Sequence, residues 1–335
     1  MSKLKQVLQS YGMFPYQGEM ITKKLAKVYT GNQYVALKQT KTPHVNRTFA
    51  MVYQLAKKKN LSSVAQVYLN DKQSPVLLGK KHSYYVSPWF KSKQDVSFSS
   101  SLLPFFSELA VIHTKTAVDR RLNVDQVQDW IQAQKSKVKT NFNQFEKWIG
   151  SFEANHYMSP SELLICHSYR LIREISMQME YWYGEWLERV REEKKMTFSL
   201  CHGNLSPSHF INSVDGMVLI NWEKAFYGHP AKDLAQFFYS ICFYHDAPIE
   251  QLIEGLNIYV DQHTFMNGDI SILSLHLLNL DRYLQEVYQY VKNPNLRTEV
   301  EWIQRFQRYQ FYFDHVLKVQ KHLQDEHINN DDESI

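Results

Sequence analysis

Apolar positions change their period near residue 90. Before it, short runs rich in β-branched and aromatic residues alternate with turn residues. Ala26–Tyr29, the turn Thr30-Gly31-Asn32 and Tyr34–Lys38 together predict a β-hairpin. Phe49, Val52, Tyr53 and Ala56 fall on one helical face and predict a helix over about Arg47–Lys57. Further strands are expected at Val64–Tyr68 and Tyr84–Ser87. Ser87-Pro88-Trp89-Phe90 reads as a connector, because proline halts a regular strand.

Beyond the connector the spacing becomes helical. Leu102, Phe105, Leu109 and Ile112 line a helix that runs to about His113, and Val127, Trp130, Ile131, Phe142, Phe145 and Trp148 anchor another over Val124–Trp148. Ser159-Pro160-Ser161-Glu162 is a helix start, with Ser159 as cap and Glu162 reaching back to the cap amide. The apolar stripe then continues from Leu164 to Trp182. An island of strand follows between Thr197 and Asn221, with a turn at Val214-Asp215-Gly216, before helical spacing returns. The expected fold class is α+β and bilobal: residues 1–87 form a small mixed lobe with an antiparallel sheet, and 88–325 a larger, mainly helical lobe with a β insert around 197–221. Residues 326–335 form a polar tail.

Charge and cysteine content narrow the function. Among 335 residues, 38 Lys and Arg against 34 Asp and Glu leave only +4, too dispersed for a nucleic-acid footprint. Cys166, Cys201 and Cys242 lie far apart in apolar contexts, which argues for reduced thiols rather than a zinc site. The N-terminal MSKLKQVLQSYGMF lacks a long apolar segment and no run approaches a membrane span, so cytosolic synthesis without a transmembrane segment is expected. The 21 tyrosines and 19 phenylalanines supply a core and suit a contact surface.

Three segments carry chemistry: His202-Gly203-Asn204-Leu205-Ser206-Pro207-Ser208-His209, then Leu219-Ile220-Asn221-Trp222-Glu223, then Gly228-His229-Pro230-Ala231-Lys232-Asp233-Leu234-Ala235. In order and spacing they resemble the aminoglycoside phosphotransferase and choline kinase superfamily, whose blocks read HGDLHxxN, IDWE and GxPxxDLA. The resemblance implies a protein-kinase-like fold. It places the phosphate-gripping lysine at Lys38, the catalytic aspartate at Asn204, the metal-binding asparagine at His209 and the metal-binding aspartate at Asn221. His202, Asp233 and His113 fall at positions that the resemblance makes structural.

The departures fall on the polar catalytic positions. A neutral amide at Asn221 balances no charge on magnesium, Asn204 accepts no proton as a carboxylate would, and His209 favours softer metals. Gly12, Gly18 and Gly31 are isolated and form no phosphate-cradling loop. The helix after the Lys38 strand carries Gln54 and no glutamate, so the usual lysine partner is expected to be missing. Lys38 and Glu223 remain as candidate nucleotide contacts, while no metal and no cofactor is expected. Overall likeness extends to the CotS-related endospore coat branch of the superfamily. The chain is accordingly expected to be a pseudokinase, not an enzyme, made in the mother cell, with other coat proteins as partners and a structural role in the coat. The alternatives are a small-molecule hydroxyl kinase with Glu223 as metal ligand, or a nucleotide-binding scaffold without transfer.

Overall fold

The computed structural model describes residues 2–79, 81–92, 98–214, 216–263, 265 and 267–332. In chain order the elements are α1 (Ser2–Gln9), β1 (Gln17–Thr22), β2 (Leu25–Tyr29), β3 (Tyr34–Thr40), α2 (Val45–Lys59), β4 (Ser83–Pro88), α3 (Phe98–Thr116), β5 (Val118–Arg121), α4 (Val124–Glu153), α5 (Pro160–His167), α6 (Tyr169–Glu193), β6 (Lys195–Cys201), β7 (Phe210–Ser213), β8 (Gly216–Leu219), β9 (Phe226–Gly228), α7 (Ala231–Ile241), α8 (Ile249–Gln262), α9 (Asn267–Leu277), α10 (Asp281–Lys292) and α11 (Glu299–Asp332). They group into two compact units: residues 1–117 with 199–228, and residues 118–198 with 229–335.

The first unit is built on an antiparallel sheet of order β1-β2-β3-β4. The predicted hairpin is present, with Tyr29 opposite Tyr34 and Leu25 opposite Lys38. Side chains alternate across the sheet. Val35 and Leu37 of β3, Ala26 and Val28 of β2, and Tyr84 and Val86 of β4 meet Val7, Leu8 and Tyr11 in one apolar cluster. The other face carries Lys38 and, directly opposite it on β4, Tyr85. There α2 supplies Phe49, whose ring meets Tyr85 edge-on at 5.0 Å.

Residues 64–68 are not the regular strand expected. Their backbone divides its hydrogen bonds, Ala65 N donating to Leu219 O at 2.9 Å and Tyr68 N to Val86 O at 2.8 Å, so no continuous ladder forms. This split ties the β7–β8 hairpin to the sheet of the same unit. Phe105 of α3 packs on Phe210 of β7 at 4.6 Å. Carbonyls at the end of α3, which the helix itself cannot satisfy, are taken up by the strands: Ser199 Oγ donates to His113 O at 2.8 Å and Tyr227 OH to Thr116 O at 2.6 Å. The turn Val214-Asp215-Gly216 was expected between β7 and β8, and Asp215 lies outside the described residues.

The second unit is mainly helical. The capping box at Ser159 is present: Glu162 N donates to Ser159 Oγ at 3.1 Å, and Ser159 N to Glu162 Oε2 at 2.7 Å. The stripe expected to run unbroken from Leu164 to Trp182 is divided at Ser168, whose hydroxyl bonds Ile165 O and the Tyr283 hydroxyl. Trp130, expected as an anchor, is 48% exposed, while Ile131, Val138, Phe145, Ile149 and Phe152 form the buried face of α4. Helix α11 continues to Asp332, and residues 333–335 lie outside the described residues. No helix among the described residues is long and apolar enough to cross a membrane.

Removing the cap hydroxyl with Ser159→Ala orphans the Glu162 amide and the Tyr290 hydroxyl, which lies 2.7 Å from Ser159 Oγ. The expected cost is about 1–2 kcal/mol, read as a lower urea midpoint at unchanged slope.

Candidate active site

The first unit brings together most of the residues singled out by sequence. Lys38 Nζ lies 2.8 Å from Glu223 Oε1, an ion pair with the lysine side chain 18% and the glutamate side chain 9% exposed. Tyr85 OH donates to Glu223 Oε2 at 2.9 Å and lies 3.4 Å from Asn221 Oδ1. The expectation that Lys38 lacks its acidic partner is therefore corrected. The carboxylate comes not from the helix after the strand but from Glu223, 185 residues further along the chain.

The loop geometry explains how this turn is held. Asn221 adopts the left-handed region at φ 70°, which asparagine tolerates better than most residues, and a short 3₁₀ turn follows at Trp222–Lys224. Trp222 is buried, and its indole donates to Leu219 O at 2.8 Å. His202 Nε2 meets Ile220 O at 2.8 Å and its Nδ1 accepts from Asn204 N at 3.3 Å, so one neutral tautomer serves both bonds. The buried His202 thus ties the 202–204 loop to the 219–223 segment. His113 is also fully buried, at the end of α3, while Asp233 is buried in the first turn of α7 in the second unit.

Asn204, His209 and Lys224 complete the group. His209 Nδ1 donates to Asn204 O at 2.6 Å, and Lys224 Nζ donates to Asn204 Oδ1 at 3.0 Å. Lys224 and Tyr85 had no place in the sequence reading. The only hint of Lys224 was its position directly after Glu223. Burial, reinforced by the nearby His202 and Lys38, pulls the His209 imidazole down to about 4 despite its bond to the Asn204 carbonyl and the charge of Glu223. It is therefore neutral at neutral pH. Burial likewise lowers the Lys38 ammonium from its usual range; the charge and hydrogen bond of Glu223 oppose the fall, and Lys224 and Lys24 add to it. Burial next to Glu223 raises the Tyr85 phenol well above its ordinary value, so it remains a donor.

No protein-family model matches the sequence, and no curated protein matches it. Solved structures do. An aminoglycoside phosphotransferase from Alicyclobacillus acidocaldarius superimposes with a TM-score of 0.74 at 12% identity, over 97% of this chain and 96% of its own. An AMP-bound spectinomycin phosphotransferase gives 0.57 at 11% identity, over 94% and 98%. A choline kinase from Streptococcus pneumoniae gives 0.50 at 16% identity, over 95% and 98%. The fold is that of the aminoglycoside phosphotransferases and choline kinases. It is the bilobal kinase-like α+β class expected, with a small sheet-bearing lobe and a larger helical one.

This phosphotransferase fold overturns the expectation of a non-enzymatic pseudokinase in the endospore coat. The named structures that share it over nearly the whole chain are phosphotransferases and kinases, and none of those names points to a coat protein. The missing lysine partner, which had supported inactivity, is present as Glu223.

Magnesium, which the fold implies, prefers several hard anionic oxygens. Among the described residues Glu223 is the one carboxylate at the site; Lys38 balances its charge, and Tyr85 donates to its second oxygen. Asn221 and Asn204 offer neutral amides, the latter already accepting from Lys224. This donor set does not fit a magnesium centre of the kind the resemblance implies.

Two measurements probe the loop. Gly203 has φ 74°, and a Cβ there would run into the Lys224 carbonyl oxygen and the Phe226 ring. Gly203→Ala is expected to cost about 2–4 kcal/mol, seen as a fall in melting temperature. His209 carries a folded-state value near 4 against 6.5 unfolded. The unfolded chain therefore binds the proton first, and stability present above pH 6.5 drains away as pH falls toward 4. Between pH 7 and pH 5 this residue is expected to account for up to about 2 kcal/mol, and His209→Asn should flatten that part of the pH–stability curve.

Proposed function

We propose that the chain is a small-molecule phosphotransferase with an atypical site, moving a phosphoryl group from a nucleoside triphosphate to a hydroxyl of a sugar, choline-like or amino-alcohol acceptor. The observation that carries this reading is the Lys38–Glu223 pair. A part-buried ion pair is a poor way to stabilise a fold, because desolvation offsets most of its attraction. It is a good way to hold one ammonium in a fixed direction. Ala36 and Tyr34 share the face of β3 with Lys38.

The asparagine at the position of the catalytic base is compatible with transfer. The phosphoryl group passes through a loose transition state in which positioning and charge stabilisation dominate. Asn204 orients the acceptor hydroxyl through its amide. As the bond from that oxygen to phosphorus forms and the bond to the departing diphosphate breaks, the hydroxyl proton leaves to water. Lys38 and Lys224 offset the charge that develops on the phosphoryl oxygens. The neutral amides at 204 and 221 favour a second reading, nucleotide binding without transfer.

One assay separates the two: nucleoside diphosphate release from ATP or GTP across a panel of hydroxyl acceptors. Acceptor-dependent release is expected, falling about 100-fold or more in Lys38→Met, with a thermal melt confirming that the variant is folded. Nucleotide binding with no acceptor-dependent release would leave the second reading, and no binding at all would sink both.

A further inference from the structure

The poor fit to magnesium coincides with an excess of lysine. Lys224 Nζ donates to Asn204 Oδ1 at 3.0 Å, at the position where the resemblance places a carboxylate. Lys38 stands at its ion pair with Glu223, and both Lys224 and Lys24 act on it electrostatically. The Leu25–Lys38 register and the bond from Gln39 N to Lys24 O at 2.8 Å place Lys24 beside the end of β3. Lys38 thus pairs with Glu223 while two further ammonium groups, Lys224 and Lys24, lie close enough to act on Lys38. Two amides, Asn204 and Asn221, replace what would otherwise be further negative charge. A site with two free carboxylates would repel a triphosphate unless a divalent cation stood between them. This one has the cations built in.

We infer that the site binds the triphosphate chain of a nucleotide without a divalent metal, with Lys224 supplying the charge that a metal ion would bring. The inference rests on the nucleotide reading above. Charge-assisted bonds from ammonium to phosphate are short and about twice as strong as neutral ones, and phosphate binding by lysine point charges tolerates the absence of a coordination shell. Lys224 is exposed, so replacing it does not disturb the buried core.

The test is a calorimetric and thermal-shift titration of the full chain with ATP, in EDTA and again in excess magnesium, repeated with Lys224→Met, Lys224→Arg and inorganic tripolyphosphate. The expected result is ATP binding in EDTA at least as tight as in magnesium, weakened about tenfold in Lys224→Met and largely retained in Lys224→Arg. Binding that requires magnesium would overturn the inference and leave the proposed phosphotransferase standing. Binding in EDTA that Lys224→Met does not weaken would overturn the role of Lys224. Tripolyphosphate binding as tightly as ATP would overturn a nucleotide site in favour of a bare polyphosphate one, and no ATP binding in either condition would overturn the proposed function itself.

Discussion

The Lys38–Glu223 ion pair organises the first unit. Lys38 reaches it from the edge of an apolar cluster, because its neighbours Val35 and Leu37 point into that cluster and the alternation of β3 turns Lys38 the other way. Glu223 reaches it from a turn that starts with a left-handed Asn221 and is pinned by the buried Trp222. Tyr85 lies between the two, paired with Lys38 across the strands, packed on Phe49 of α2 and donating to Glu223. Removing one charge alone would leave the other buried with less compensation, a loss of about 3–5 kcal/mol for a fully buried pair and less where water reaches it. Sheet, helix and turn therefore depend on the same contact.

Around this pair the site has changed sign relative to what its fold implies. Two positions expected to carry carboxylates carry amides, and Lys224 donates to one of them. An amide retains the shape and the hydrogen-bonding reach of a carboxylate while losing its charge. The hydrogen-bond scaffold of the loop, from His202 through Asn204 to His209, is accordingly intact although its electrostatics are inverted. Neutral His209 adds no charge of its own. Reading the substitutions one at a time suggested lost chemistry. Assembled, they set the Lys224 ammonium on the Asn204 amide and the Lys38 ammonium on Glu223.

Much of the architecture was legible from local patterns. The hairpin around Gly31, the face Phe49–Val52–Ala56 and the capping box at Ser159 are written in residues within a few positions of one another, where period and turn chemistry suffice. β1 escaped because all six of its residues are exposed, so it shows no alternation of buried and solvated positions. The stretch 64–68 misled because its β-branched composition promised a ladder, whereas its amides are shared between two different partners. The break at Ser168 was hidden by apolar residues that keep nearly the same spacing on both sides of it.

Motif spacing was enough to bring Lys38, His202, Asn204, Asn221 and Glu223 under suspicion, since those residues sit at set distances within short segments. Spacing could not say what each one touches. The partner of Lys38 was sought in the helix that follows its strand, and the protein supplies it from 185 residues away. Nothing in the spacing singled out Lys224, whose ammonium the turn carries to Asn204. Hydrophobic period and capping act between neighbours in sequence, so the chain alone specifies them. Ion pairs and shared hydrogen bonds act between neighbours in space, and those exist only once the sheet, the helix α2 and the 219–224 turn have packed together.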